Sequence, residues 1–246
     1  MKLHREIRGQ GPPVVLVHAG GTDGRMWGPL AERLEDRFTL VIPDMRGHGR
    51  TPLPPEPYAD ADDLAAVLDE LGIERAAVVG ASYGGRIALE LVAAAPQRVS
   101  ALALLASALP DHKPSTALQA FGDEEERLWE AGDIDAAVAL NLRTWVADPA
   151  VADLMGEMAR ASFELQLGAE DHQRQTPVDL SSIAVPTLVV SAGRDFADFA
   201  QIADRIAAEV PGAQRAEVPD AGHVIALERP DAAAALLVPF LERVGA

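Results

Sequence analysis

The chain has 246 residues, 48% of them hydrophobic and 24% charged, which suits one ordinary core-bearing globular domain or a domain carrying a modest insertion. Lys and Arg total 21 against 38 Asp and Glu, and the formal net charge of −17 opposes a sequence-independent grip on nucleic-acid backbones or anionic membrane surfaces. The absence of cysteine excludes disulfides, thiolate metal sites and a cysteine nucleophile.

Residues 1 to 6 carry no apolar run of the kind that heads a secretory signal. The longest apolar stretch, residues 101 to 109, falls far short of the ~20 needed to cross a bilayer as a helix. A soluble, cytoplasmic protein is expected. In chain order, apolar runs at 14–17, 38–42, 76–79, 101–105, 186–190 and 214–218 read as strands, continuous enough to be buried on both faces. Segments of helical period at 29–35, 60–71, 85–94, 199–209 and 230–244 alternate with them. This rhythm predicts an α/β fold with a mostly parallel, doubly wound sheet. Asp60, Asp62 and Asp63 open the second helix, where carboxylates suit the dipole, and Gly72 is placed to end it.

Between Pro110 and Pro186 the rhythm breaks. No strand pattern occurs there, and helical segments at 124–131, 135–145 and 151–167 follow one another. The expected organisation is therefore a core of residues 1–109 and 186–246 with a helical cap, residues 110–185, over the C-terminal ends of the strands. The acidic run from Asp123 to Glu126 reads as a solvated helix N-terminus.

Gly80-Ala81-Ser82-Tyr83-Gly84 lies between a strand and a helix, the context in which a G-x-S-x-G segment presents its serine on a sharp turn above the sheet. A serine needs a base and an acid that orients the base. His223, in the loop between the last strand and the closing helix, is the candidate base. Asp195, at the mouth of the strand ending in Ser191-Ala192-Gly193, is the candidate acid, with Asp198 one turn later as its competitor. No metal-ligand cluster or phosphate-binding loop of the required context is present, so no metal and no organic cofactor is expected.

These motifs, in this order, resemble the α/β-hydrolase superfamily over most of the chain. His18-Ala19-Gly20-Gly21 resembles the family's oxyanion loop, although Ala19 replaces the usual glycine. Asp44-Met45-Arg46-Gly47-His48-Gly49 resembles its Asp-x-Arg-Gly-x-Gly segment, and Ala221-Gly222-His223 its histidine loop. Gly193 lies one residue nearer the acid than the common spacing. The resemblance implies a catalytic triad of Ser82, Asp195 and His223 and an oxyanion hole built from the amides of Gly20 and Tyr83, with His18 and His48 bracing loops. It implies acyl transfer, with hydrolysis of a small carboxylic ester or lactone as the simplest outcome.

Residues 21 to 27 resemble the corresponding loop of 3-oxoadipate enol-lactonases. Arg86, four residues after the serine, instead resembles the substrate-binding arginine of the menaquinone-pathway synthase that eliminates pyruvate. Arg143 and Trp145 in the insertion would extend such an anion site. The competing reading of Arg86 is an i,i+4 ion pair with Glu90. A ligand-binding receptor of the same fold is a third possibility, since fold does not fix activity. Trp129, Trp145, Met155, Met158 and Phe163 lie on helices that would roof the pocket or pack among themselves. The expected partner is a small-molecule ester or lactone; the oligomeric state is not readable.

Overall fold

The computed structural model describes residues 2–169 and 172–245. Seven strands form one sheet: β1 (Arg5–Arg8), β2 (Pro13–Val17), β3 (Thr39–Pro43), β4 (Ala76–Ala81), β5 (Val99–Leu105), β6 (Thr187–Ala192) and β7 (Gln214–Val218). Their order across the sheet is β1-β3-β2-β4-β5-β6-β7, with every pairing parallel except β1 against β3. Six strands match the apolar runs, shifted by a residue or two at their ends. The seventh, β1, was not expected. Its sequence, Arg-Glu-Ile-Arg, is charged because it is an edge strand: Ile7 is half exposed, and Arg5 pairs with Glu70. Charged edges of this kind discourage further strand pairing.

Alternation along the central strands feeds two cores. Val14 and Leu16 join one apolar cluster, Val15 and Val17 the other. Helices α1 (Gly28–Leu34), α8 (Ile225–Glu228) and α9 (Pro230–Arg243) supply residues to the first. Helices α2 (Asp60–Glu70), α3 (Tyr83–Ala94) and α7 (Ala197–Glu209) supply the second. Covered on both faces, β2, β3, β4, β5 and β6 need no polar alternation; β7, Gln-Arg-Ala-Glu-Val at the other edge of the sheet, is polar and partly exposed, against the buried apolar strand expected at 214–218.

Between β5 and β6 the chain forms α4 (Thr116–Glu130), α5 (Ile134–Trp145) and α6 (Ala152–Gln166), and no strand among the described residues. Helix α4 starts eight residues before the expected position because Ser115 caps it, its hydroxyl accepting from the Leu118 amide. The acidic run is therefore mid-helix, not an N-terminus. Glu125 turns inward from it toward Asn141 of α5. No helix among the described residues is long and apolar enough to cross a membrane.

Candidate active site

Strand β4 passes into α3 through Ser82, which sits at φ +48°, a backbone state that costs a non-glycine residue about 1–3 kcal/mol. Two glycines make the turn possible. A Cβ on Gly80 would lie 2.3 Å from the Gly84 carbonyl oxygen, and one on Gly84 would lie 2.1 Å from the Val17 carbonyl oxygen. The turn is tied to the end of β5: the Ser82 amide donates to Leu105 O at 3.0 Å, and Ser82 O accepts from the Ala108 amide at 3.0 Å. Gly84 presses on the end of β2, which brings the loop after that strand beside the start of α3. A Cβ on Gly20 would meet Tyr83 Cβ at 3.6 Å. Among the described residues neither the Gly20 nor the Tyr83 amide has a backbone acceptor outside the regular elements.

Asp195 and His223 come from turns that are stitched together. The Gly193 amide donates to Val218 O and the Arg194 amide to Ala221 O, both at 3.0 Å. Gly193 has no room for a side chain, since its Cβ would lie 2.3 Å from Pro219 O. This crossing sets Asp195 Oδ2 2.6 Å from His223 Nδ1, while Asp195 Oδ1 accepts from the Phe196 amide at 2.8 Å. Both side chains are almost fully buried. With Nδ1–H directed to the carboxylate, the imidazole keeps Nε2 as its free base. The rings of Phe199 and Trp145 pack on it, with centroids 4.3 and 4.6 Å away.

Asp198, the competing acid, is occupied elsewhere. It accepts from the Ser115 amide and hydroxyl, each at 2.7 Å, and from His112 Nε2 at 3.0 Å. Burial pushes its carboxyl up, but the Ser115 and His112 hydrogen bonds outweigh it and hold the carboxyl at about 2. Asp198 thus anchors the start of α4 to α7.

Ser82 and His223 line one cavity of about 400 Å³, together with Gly20, Tyr83 and Trp145. No hydrogen bond joins the Ser82 hydroxyl to the imidazole here. Such bonds are commonly loose in unliganded sites and tighten around substrate. Of the expected roof residues, Trp145, Met155 and Phe163 line the cavity; Met158 is buried in the core, and Trp129 packs against Phe163. Arg86 does not line it, nor does Arg143. The Arg86 guanidinium donates to Glu90 at 2.8 Å and to Gln173 at 3.0 Å, and lies over the Tyr83 ring. This is the ion-pair reading of Arg86.

His18 and His48 brace the loops. His18 Nδ1–H donates to Ala19 O at 2.8 Å and its Nε2 accepts from the Met45 amide at 2.9 Å; His48 Nδ1–H donates to Arg46 O at 2.8 Å. Burial lowers His18 to about 4, and burial with His18 alongside lowers His48 to about 3. A buried imidazole with a lowered pKa contributes stability that is full above pH 6.5 and is lost as pH falls through its folded value. Asp60 acts oppositely. Burial raises its carboxyl to about 6 against the hydrogen bond from Tyr83, so its contribution is full below pH 3.8 and lost as pH rises through 6. Each titrating group changes stability by about 1.4 kcal/mol per pH unit, and the Glu90 and Glu125 carboxyls, also raised by burial, act with Asp60 against the two imidazoles. Acidification from pH 6.5 to 4.5 is therefore expected to shift the melting temperature of the wild type less favourably than that of a His48→Gln variant, which lacks one of the imidazoles. Calorimetry across that range checks it; the same shift in wild type and variant, or a less favourable one in the variant, would contradict it.

Two parts of the site were missed in the sequence. Glu228, buried on α8, accepts from the Gly222 amide at 2.5 Å and from the Ala147 amide at 2.7 Å, joining the histidine loop to the segment after α5. Its only sequence signal is a carboxylate five residues after the histidine, too common to single out. The second part is the group of Asp60, Tyr83 and Gln173. Tyr83 donates to Asp60 Oδ2 at 2.6 Å, and Gln173 Nε2 donates to both. Those three residues are far apart in the chain.

The family model described as "Alpha/beta hydrolase family" matches residues 14–236. The chain belongs to the alpha/beta hydrolase family. This α/β-hydrolase is 29% identical to the provisionally named non-heme bromoperoxidase BpoC of Mycobacterium tuberculosis, over the full length of both chains. It is 30% identical to the provisionally named carbamate hydrolase RutD of Azorhizobium caulinodans, covering 97% of this chain and 94% of that one. Its fold superposes on an enol-lactonase from Burkholderia xenovorans LB400 with a TM-score of 0.82 and 27% identity, covering 98% of this hydrolase and 96% of the lactonase.

Proposed function

We propose that this α/β-hydrolase cleaves a small carboxylic ester or lactone through an acyl-enzyme on Ser82. The observation that carries the reading is the 2.6 Å contact between Asp195 and His223 at the wall of the cavity that Ser82 also lines. Ser82 Oγ attacks the carbonyl carbon while His223 Nε2 takes its proton, and Asp195 holds the resulting imidazolium. The amides of Gly20 and Tyr83 receive the oxyanion, each such donor being worth ~10²–10³ in rate. Collapse expels the alcohol, which takes the proton back from His223; in a lactone it stays tethered to the acyl chain. Water, activated by the same imidazole, then releases the acid and frees Ser82.

The likeness to an enol-lactonase and to a protein named for carbamate hydrolysis supports this chemistry. The engagement of Arg86 by Glu90 and Gln173 favours hydrolysis over the elimination of pyruvate, which asks for that arginine at the substrate. The test is a panel of short-acyl 4-nitrophenyl esters and simple lactones, run with wild-type and Ser82→Ala protein. Turnover by the wild type that disappears in the variant is expected. A variant that retains wild-type turnover overturns the reading.

A further inference from the structure

The cap side of the cavity has its hydrogen-bond donors spent and its acceptors free. Asn141 Nδ2 donates to Glu125 Oε1 at 2.7 Å and to Ala137 O at 3.0 Å, which uses both of its protons. The amide orientation follows from these neighbours, since a flipped group would set its oxygen against a carboxylate and a carbonyl. Gln166 Nε2 likewise donates to Gly47 O at 3.0 Å and Ser162 Oγ at 2.7 Å. The Ser162 hydroxyl reaches Gly47 O at 3.4 Å. Trp145 carries an indole N–H, but its ring lies against His223, at the reacting end.

What remains toward the cap is a set of acceptors. Asn141 is nine-tenths buried, and its Oδ1 lies 4.0 Å from where a Gly21 Cβ would stand, so it faces the loop after β2. Neither this oxygen nor the second carboxylate oxygen of Glu125 has a partner among the described residues. Burial pushes the Glu125 carboxyl up against the Asn141 hydrogen bond, the mark of an acid without a cation beside it. Arg46 also lines the cavity, but its guanidinium forks onto Asp63 at 2.5 and 2.6 Å and stacks over Tyr58. A carboxylate brought into this cavity would meet Glu125, and the charge of Arg46, among the described lining residues, is already paired with Asp63.

We propose that the part of the substrate facing the cap carries a hydrogen-bond donor, a hydroxyl, amide N–H or ammonium group, and that Glu125 and Asn141 set this preference. The inference rests on the ester-or-lactone reading of the same cavity. A donor gains two acceptors that no described residue engages, whereas a carboxylate adds repulsion, so the preference has both an attractive and a repulsive source. It places the enzyme after reactions that make hydroxylated, aminated or amide-bearing esters and lactones, and apart from those that yield dicarboxylate half-esters.

The test uses 4-nitrophenyl esters of ω-hydroxyalkanoic acids and of dicarboxylic acids of equal chain length, from four to eight carbons. Binding to the Ser82→Ala protein is read by tryptophan fluorescence, and turnover is read with the wild type. At the best chain length the hydroxyl ester is expected to bind at least about tenfold more tightly than the carboxylate ester. Adding Glu125→Gln, which keeps an acceptor for Asn141 but removes the charge, should shrink the ratio below about threefold. Equal binding of the two esters, a preference for the carboxylate, or a ratio unmoved by Glu125→Gln overturns the proposal. Turnover that survives Ser82→Ala would instead sink the serine mechanism while the binding ratio still decides the donor preference.

Discussion

Removing the Ser82 hydroxyl is expected to lower kcat for any ester substrate by about 10⁴–10⁶-fold, the range set by triad nucleophiles elsewhere, and the two smallest replacements should then separate chemistry from strain. Ser82→Ala keeps a Cβ at φ +48°, so its melting temperature should stay near that of the wild type. Ser82→Gly removes the Cβ from a backbone state that glycine adopts freely, against a loss of unfolded-state restriction of about 0.5–1 kcal/mol. The strain at stake is about 1–3 kcal/mol, so relief wins and the glycine variant should be the more stable protein by about 1 kcal/mol. Its neighbours cannot absorb the strain instead, because Gly80 and Gly84 already abut backbone atoms. An inactive variant that melts higher than the active enzyme is the signature of a turn held under tension to expose a nucleophile. Paired kinetics and calorimetry read both effects.

The second large effect separates two aspartates three residues apart. Asp195→Asn leaves the shape of the His223 contact but replaces a charged acceptor with an amide, which fails to fix the imidazole tautomer or stabilise the imidazolium. A fall in kcat of about 10⁴-fold is expected, with little change in melting temperature. Asp198→Asn should do the reverse. Its carboxylate holds Ser115 and His112 just ahead of α4, and weakening charged hydrogen bonds at a buried site costs about 1.5–3 kcal/mol each. Lower stability with kcat within about tenfold of the wild type is the expected result. Measuring kcat and melting temperature for both variants makes a double dissociation. If Asp198→Asn carried the catalytic loss, the acid would be misassigned.

Much of this architecture was legible because its causes are local. Strands β2, β4, β5 and β6 are buried on both faces and so are written as unbroken apolar runs. The turn at Ser82 is marked by glycines whose absence of a side chain is required by atoms within 2.3 Å. Features that depend on distant partners were not legible. β1 exists because β3 offers it an edge, and its charges alone resemble a loop. The early start of α4 follows from Ser115, which Asp198 holds from 83 residues away. For the same reason the choice between Asp195 and Asp198 stayed open in the sequence: both sit near the mouth of β6, and only the crossing of the 193–195 and 219–221 segments directs one of them to His223. Glu125 was read as part of a solvated acidic run because nothing in α4 announces that Asn141, 16 residues on, turns it inward.

The most direct measurement is the site of covalent capture. Wild-type protein treated with a fluorophosphonate and digested for mass spectrometry should carry one phosphonyl group, on the peptide containing Ser82, with labelling slowed at least about a hundredfold in a His223→Ala variant. An adduct on another serine, such as Ser107 or Ser162, or equal labelling of Ser82→Ala protein, would contradict the assignment of Ser82 as the nucleophile.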